Sequence, residues 1–283
     1  MMTSVFRLFA TGLVALLCHL SGAQAADRSA EYSAVLAKAA WKAAAFDVQR
    51  LTVDEPGGLA LSAFRFDPAS SEKLFSARIV SAPDPKGISA TALLVQRGRG
   101  PSQILSLVIN GGYFDRAPDG TRTPTGLLIS NGRMLAPLAA CRACSGVLYA
   151  VAGKPGLEIA WAKGFKVTVD VTSAIQTGPL LVEPGGKLGI AKPGGPLAER
   201  SAICLSAKGR TTVLAVTSRV TLYELATLLK SPAPGGFGCD VAINLDGGPS
   251  TQIATSLSKP KMIGTASPVE NFVVFDWIIP WWF

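Results

Sequence analysis

The stretch Ser201–Leu245, SAICLS-AKGR-TTVLAVTSRV-TLYELATLLK-SPAPGGFGCD-VAINL, carries the reading of the fold. Ser201 to Ser206 and Thr211 to Thr217 are apolar runs on either side of Ala207-Lys208-Gly209-Arg210, which is a hairpin pattern. Thr221 is followed three residues later by Glu224, a capping box, ahead of Leu225, Leu228 and Leu229 at helical spacing. Pro232 stops that helix, and after a glycine-rich loop Val241 to Leu245 reads as a further strand.

The same grammar extends outward. Asn131-Gly132 joins Gly126–Ser130 to Arg133–Leu135, and Gly153-Lys154-Pro155-Gly156 joins Val147–Val151 to Leu157–Trp161, giving two more hairpins. Strand-like runs cover Phe46–Val53, Leu59–Phe66, Leu74–Val80, Ile104–Ile109 and Asn271–Phe275. Asp27 to about Phe46 is alanine-rich with Tyr32, Val35, Leu36 and Ala39 at helical spacing; Ser89–Gln96 fits helix or strand equally. The 29 Gly and 19 Pro among 283 residues punctuate the chain often enough for many short strands. The expectation is an α+β single domain, with a mixed, largely antiparallel β-sheet core built from hairpins and flanked by a few helices. No repeat or linker divides residues 26–276, although 26–103 and 104–276 are read as successive parts of that domain.

Residues 1–25 form a secretory signal pattern: Arg7, an apolar run from Leu8 to Leu20, and Ala23-Gln24-Ala25 as the cleavage site. The run is shorter than the roughly 20 residues of a bilayer crossing, so no transmembrane segment is expected in the mature chain. Leu17 is too bulky for lipoprotein processing at Cys18. Cleavage removes His19, the sole histidine, and with it Ser-His-Asp catalysis, Cys-His catalysis and any histidine-ligated metal. An exported, periplasmic or extracellular protein is expected.

Removing Arg7 takes the net charge from +8 to +7, and the remaining basic residues are scattered, with Arg97-Gly98-Arg99 the densest patch. That pattern lacks the basic stripe of a nucleic-acid binder and suits an anionic small substrate or glycan. Cys141, Cys144, Cys204 and Cys239 remain in the mature chain. Cys141-Arg142-Ala143-Cys144 lacks the strand-then-helix context of a redox motif and is read as a local disulfide, whereas Cys204 and Cys239 are read as buried thiols. The tail 277–283, WIIPWWF, packs into its own domain on this reading, with weak membrane-surface contact as the competing one.

Two segments share one design, an apolar strand ending in polar residues and a Gly-Gly pair. These are Leu107–Asp115, with Asn110, Gly111 and Gly112, and Val241–Thr251, with Asn244, Asp246, Gly247, Gly248, Ser250 and Thr251. Alternation places Val241, Ile243 and Leu245 on one face and Ala242, Asn244 and Asp246 on the other, so an amide and a carboxylate point the same way. Paired glycines let backbone approach a ligand and free N–H groups for an anion. Gln176 and Thr177, ahead of Gly178, stand at a bend before an apolar strand, and Arg200 stands where a strand begins, able to clamp a phosphate or to close an edge salt bridge.

The ordered set Asn110-Gly-Gly-Tyr-Phe, Pro124-Thr-Gly-Leu, Gln176-Thr-Gly-Pro-Leu-Leu-Val, Arg200-Ser-Ala-Ile and Asn244-Leu-Asp-Gly-Gly-Pro-Ser-Thr resembles the phosphodiester glycosidase family, over about Ile104 to Phe275. The resemblance departs at Pro249, where the family often continues Gly-Gly-Gly-Ser, and at Cys141–Cys144, which falls outside the matching motifs. It implies hydrolysis between a sugar's anomeric carbon and the phosphate of a sugar-1-phosphodiester. Asp246 is then the catalytic carboxylate and Arg200 the phosphate clamp. Asn110, Gly111, Gly112, Gln176, Thr177, Gly178, Asn244, Gly247, Gly248, Ser250 and Thr251 bind substrate. Phosphate is a good leaving group, so one carboxylate with cationic and amide donors can suffice. A second carboxylate, where needed, comes from Glu199, Asp115 or Asp240. A divalent cation on Asp246 has no dedicated ligand run, so no cofactor or metal is expected. The alternative reading is a non-catalytic envelope module that binds anionic glycan or phosphodiester polymer.

Overall fold

The computed structural model describes residues 26–45, 47–70, 75–97, 104–257 and 261–278. The signal pattern with Cys18 and His19, Gly98 and Arg99 of the basic patch, and tail residues 279–283 lie outside the described residues. The chain opens with helix α1 (Ser29–Lys38), strands β1 (Lys42–Ala45), β2 (Val48–Asp54), β3 (Ala60–Phe66) and β4 (Phe75–Ser81), then helix α2 (Ala90–Arg97). Strands β5 (Ile104–Asn110), β6 (Phe114–Arg116), β7 (Arg122–Pro124), β8 (Leu128–Ser130), β9 (Arg133–Ala136), β10 (Gly146–Val151) and β11 (Leu157–Trp161) follow. Next come β12 (Val171–Thr177), β13 (Leu180–Glu183), β14 (Lys187–Leu188), β15 (Ala198–Leu205), β16 (Thr211–Val220) and helix α3 (Leu222–Lys230). The described chain closes with β17 (Val241–Asn244), a short 3-10 turn at Gly248–Ser250, β18 (Gln252–Thr255), β19 (Lys261–Gly264) and β20 (Asn271–Ile278).

Three sheets face one another. The largest runs β1-β2-β3-β16-β15-β17-β13-β14, and two five-stranded sheets run β11-β10-β12-β8-β9 and β19-β18-β5-β20-β4. The β6–β7 ribbon stands apart. The α+β architecture expected from the sequence is the one observed. Strand alternation divides the apolar side chains cleanly. Val213 and Ala215 of β16, Ile203 of β15 and Ile243 of β17 enter a core shared by all three sheets. Their neighbours Leu214, Val216, Ala202, Cys204 and Ala242 point the other way, beneath α1 and α3. Helix α2 covers the outer face of the third sheet over Val108, Phe272 and Val274.

Local chemistry explains the expected elements. Glu224 N donates to Thr221 Oγ1 at 3.1 Å and Thr221 N donates to Glu224 Oε2 at 2.7 Å, a complete capping box for α3. Asn131 (φ 52°) and Gly132 (φ 74°) give the β8–β9 turn the left-handed conformation that a two-residue hairpin needs. Ser89 Oγ accepts from Ala92 N at 3.2 Å, and the ambiguous Ser89–Gln96 segment resolves as helix α2.

Three expectations are corrected. The N-terminal helix ends at Lys38, and Lys42–Ala45 is instead strand β1, paired with β2 from Lys42↔Arg50 to Ala45↔Val48; sheet-edge pairing overrides alanine's helix propensity. Gln176 and Thr177 end a full strand, β12, rather than standing in a bend, which begins at Gly178. Cys204 and Cys239 form a disulfide across a Cα–Cα distance of 5.6 Å, as Cys141 and Cys144 do at 5.1 Å. The β15–β17 pairing brings Cys239 back beside Cys204, a meeting produced by register over 35 residues. By the chain-entropy rule that bridge stabilises by about 3–4 kcal/mol.

Trp277 is a core residue. It is 2% exposed, on β20, with its ring centroid 5.0 Å from Phe66 and 5.2 Å from Phe75, and Phe275 lies 5.1 Å from Phe66. Truncating it opens a void between the β3 sheet and the sheet holding β4 and β20. Trp277→Ala is expected to destabilise the fold by about 3–5 kcal/mol, read from denaturant midpoints, while leaving liposome co-sedimentation unchanged.

Candidate active site

Two strand ends from different sheets meet here. β5 ends at Asn110 and continues into Gly111-Gly112-Tyr113; β17 ends at Asn244 and continues into Leu245-Asp246-Gly247-Gly248. Asp246 N donates to Gly111 O at 2.9 Å, and Asn110 Nδ2 donates to Asp246 O at 2.7 Å. Asn110 Oδ1 accepts from Ser201 Oγ at 2.7 Å and from Gln252 N at 3.1 Å. The Asn110 amide is therefore wholly engaged by the protein, fully buried, as the rivet between the strand ends.

The glycines are required by close approach of the chain to itself. A side chain at Gly111 would stand 1.9 Å from Asn271 Oδ1, one at Gly112 2.9 Å from Ile175 Cδ1, and one at Gly247 2.8 Å from Glu199 O. Asn271 locks the first turn: its carbonyl accepts from Gly111 N at 2.8 Å and its Oδ1 from Gly112 N at 2.7 Å. Those two N–H groups are thereby occupied. Gly248 differs, since its φ of 56° calls for glycine while nothing lies within 4 Å of a Cβ there.

This docking presents Tyr113 to Asp246 and Arg200. The Tyr113 hydroxyl donates to Gly178 O at 2.6 Å and accepts from Asn244 Nδ2 at 3.0 Å; Asn244 Nδ2 also donates to Gly178 O at 2.9 Å. Burial, reinforced by the Asp246 charge, pushes the Tyr113 phenol up, with the Asn244 amide and Arg200 opposing. Burial likewise pushes the Asp246 carboxyl up, against hydrogen bonds from Ser250 and from Gly247 N, the latter 3.0 Å from Oδ1. Arg200 lies beside the Asp246 turn: a side chain at Gly247 would stand 3.8 Å from Arg200 Nη1. Its Nε donates to Val220 O at 3.3 Å and its Nη2 to Pro196 O at 2.8 Å, which fixes the fork, and burial lowers its proton affinity. Among the described residues Arg200 and Asp246 form no ion pair. Both act on Tyr113 electrostatically, so a carboxylate and a guanidinium share one phenol without neutralising each other.

The remaining nominated residues fall into two groups. Ser250 is bonded to Asp246, and Thr177 Oγ1 donates to Asn244 O at 3.2 Å. Buried Asn244 Oδ1 and Thr251 Oγ1 have no protein partner, two orphaned polar atoms beside the Asp246 turn. Gln176, by contrast, is turned to other work. Its Oε1 accepts from Leu127 N at 3.1 Å and Ala139 N at 3.0 Å, and its Nε2 donates to Ala139 O at 2.9 Å and Cys144 O at 3.4 Å. Of the further carboxylates, Glu199 adjoins Arg200, Asp115 is exposed on β6, and Asp240 stands at the opposite end of β17, bonded to Ala207 N. Among the described residues no three His, Cys, Asp or Glu side chains gather as a metal-holding group.

Sequence reasoning quoted Tyr113 and Ser201 inside motifs without giving them a task, and it missed Asn271. Asn271 reaches Gly111 and Gly112 across about 160 residues, so no local pattern announces it.

The sequence profile of the phosphodiester glycosidase family matches residues 104–275. Among solved structures, the chain resembles the catalytic domain of zebrafish N-acetylglucosamine-1-phosphodiester α-N-acetylglucosaminidase, auto-inhibited by its pro-peptide. That match has a TM-score of 0.56 and 16% identity, covering 86% of this chain and 88% of that one. A hypothetical protein from Synechocystis matches with a TM-score of 0.53 and 14% identity; 82% of this chain spans 62% of that one. At these identities the likeness is one of fold. No curated protein sequence matches the chain significantly.

The Asp246 environment makes a prediction about stability. Its folded carboxyl holds a proton more tightly than the unfolded one, so stability falls as pH rises through the ordinary value of 3.8 to the raised one. The penalty is absent below the ordinary value and grows as pH rises through the raised one. Asp246→Asn should raise Tm at neutral pH, by about 2–4 °C per kcal/mol relieved, and give no gain below pH 3.8, as paired thermal melts will show.

Proposed function

The chain belongs to the phosphodiester glycosidase family, and from that premise we propose that it hydrolyses the bond between a sugar's anomeric carbon and the phosphate of a sugar-1-phosphodiester. Water supplies the hydroxyl to the sugar, and the phosphate departs still esterified to its second group. The observation that carries this reading is the pairing-free approach of Asp246 and Arg200 around Tyr113. A carboxylate partner would take up part of the guanidinium fork; among the described residues Arg200 makes no ion pair, and its hydrogen bonds use Nε and Nη2 while Nη1 lies beside the Asp246 turn.

In this mechanism Asp246 is the nucleophile or the base that activates water. Burial favours the role, since a carboxylate with raised proton affinity accepts a proton more readily. Arg200 meets the phosphate, whose charge grows as the glycosidic bond breaks, and a donor fixed beforehand stabilises that charge most, while Tyr113, its proton given to Gly178 O, holds the wall of the site. Phosphate leaves without strong acid help, which fits a cluster holding one half-buried carboxylate. Two disulfides support export to an oxidising compartment, in line with the signal pattern at residues 1–25.

The test is turnover of the purified mature protein against a panel of sugar-1-phosphodiesters and nucleotide sugars. Wild type should cleave at least one. Asp246→Asn should lower kcat by roughly 10²–10⁴-fold with ligand binding retained. Arg200→Gln should lower kcat/KM on the order of 10²–10³-fold. A wild type that binds these ligands and cleaves none is a binding module.

A further inference from the structure

The Cys141–Cys144 loop, which the family's motifs do not reach, touches the site directly. It occupies the connection between β9, ending at Ala136, and β10, starting at Gly146. Three of its backbone groups, Ala139 N, Ala139 O and Cys144 O, are held by Gln176, and Ser145 Oγ accepts from Leu180 N at 2.9 Å. Inside the loop Cys144 N donates to Cys141 O at 3.2 Å and Ser145 N to Ala143 O at 3.1 Å. Its far wall is Gly178: a side chain there would stand 2.7 Å from Ala143 O and 2.8 Å from Ser145 N. Gly178 O is in turn the shared acceptor of the Tyr113 hydroxyl and Asn244 Nδ2. Backbone contacts thus run without a gap from the sulfur bridge to the phenol beside Asp246.

We propose that the Cys141–Cys144 bridge is a positioning brace for the active site, holding Gly178 so that Tyr113 and Asn244 stand in working register, and that opening it switches the site off. The catalytic half of this proposal rests on the function proposed above; the mechanical half does not. The switch is a two-electron exchange with a dithiol. A dithiol thiolate attacks Cys141 Sγ, the S–S bond breaks and Cys144 leaves as a thiolate that takes up a proton. The second thiol then resolves the mixed disulfide, leaving two protein thiols and an oxidised dithiol. Access makes the reaction selective. Cys141 is partly exposed, whereas Cys204 and Cys239 are 1% and 6% exposed.

Two forms of the full mature protein test this: Cys141→Ser/Cys144→Ser, and wild type treated with dithiothreitol until mapping shows only the Cys204–Cys239 bridge. The first readout is the ultraviolet titration of Tyr113, isolated by subtracting Tyr113→Phe. Around its hydroxyl stand Asp246, Arg200, Asn244 and the Gly178 carbonyl. In the oxidised protein its midpoint lies above the ordinary tyrosine value; in both opened forms it should drop toward that value. The second readout is turnover, with kcat falling about 10–100-fold, KM within about twofold, and recovery on reoxidation. Gln176→Leu, bridge intact, should move the midpoint in the same direction.

An unmoved Tyr113 midpoint in the opened forms overturns the brace, whatever the activity. A moved midpoint with kcat unchanged overturns the switch. If wild type cleaves nothing, the proposed function fails and the titration still decides the brace. If the double variant does not fold, the reduced wild type supplies the measurement; unfolding of both forms also overturns the proposal, because the bridge would then hold the domain and not the site.

Discussion

The buried amide of Asn110 is the constraint on which the site depends. It belongs to a strand of one sheet, yet it donates to Asp246 O and accepts from Ser201 Oγ, both in or beside strands of another. Much of the contact between the two sheets is made by apolar side chains, which set a separation but no register, since hydrophobic contact is non-directional. The Asn110 amide, with the Asp246 N–Gly111 O bond beside it, supplies the missing direction. A buried carbonyl or hydroxyl left without its partner costs about 1–3 kcal/mol, so any slip between the strand ends is penalised several times over. The position of Asp246 relative to Tyr113 is a consequence of that rivet.

Most of what was legible in the sequence is local. The Thr221–Glu224 capping box, the Asn131-Gly132 turn and the face assignments of Ile243 and Ala242 each depend on residues within a few positions, and the structure repeats them. What was illegible is long-range. Lys42–Ala45 is a strand only because β2 lies beside it, and Cys204 meets Cys239 only because β15 and β17 pair in one register. Asn271 is the clearest case at the site. It reads as the unremarkable start of a strand, and its work is done on Gly111 and Gly112, far away in sequence and adjacent in the fold.

Polar residues at strand ends carry an ambiguity that composition does not resolve. Asn110, Gln176 and Asn244 look alike in sequence, each an amide closing an apolar run. Asn110 and Gln176 spend every hydrogen bond on the protein, one joining sheets and the other tying down a loop, whereas Asn244 keeps one buried oxygen without a partner. Gly-Gly pairs are ambiguous in the same way. Gly111, Gly112 and Gly247 are small because Asn271, Ile175 and Glu199 press against them, and only Gly248 has open space where a side chain would be. A pattern that signals close approach does not say what approaches.

The charges at the site make sense in the light of that crowding. Left free, a half-buried carboxylate and a guanidinium close to the same turn would tend to pair, because their attraction in a low-dielectric interior is strong. Here each is held by other bonds: Arg200 by the Val220 and Pro196 carbonyls, Asp246 by Ser250 and Gly247 N. Tyr113, pinned from the far side by Gly178, feels both. The fold thus maintains an unneutralised pair at the cost of raising the carboxyl's proton affinity and lowering the guanidinium's. Unpaired, half-buried opposite charges are poor elements of stability. They persist here because other hydrogen bonds hold each charge in place: Asn110 fixes the Asp246 carbonyl, and the Val220 and Pro196 carbonyls fix the Arg200 fork.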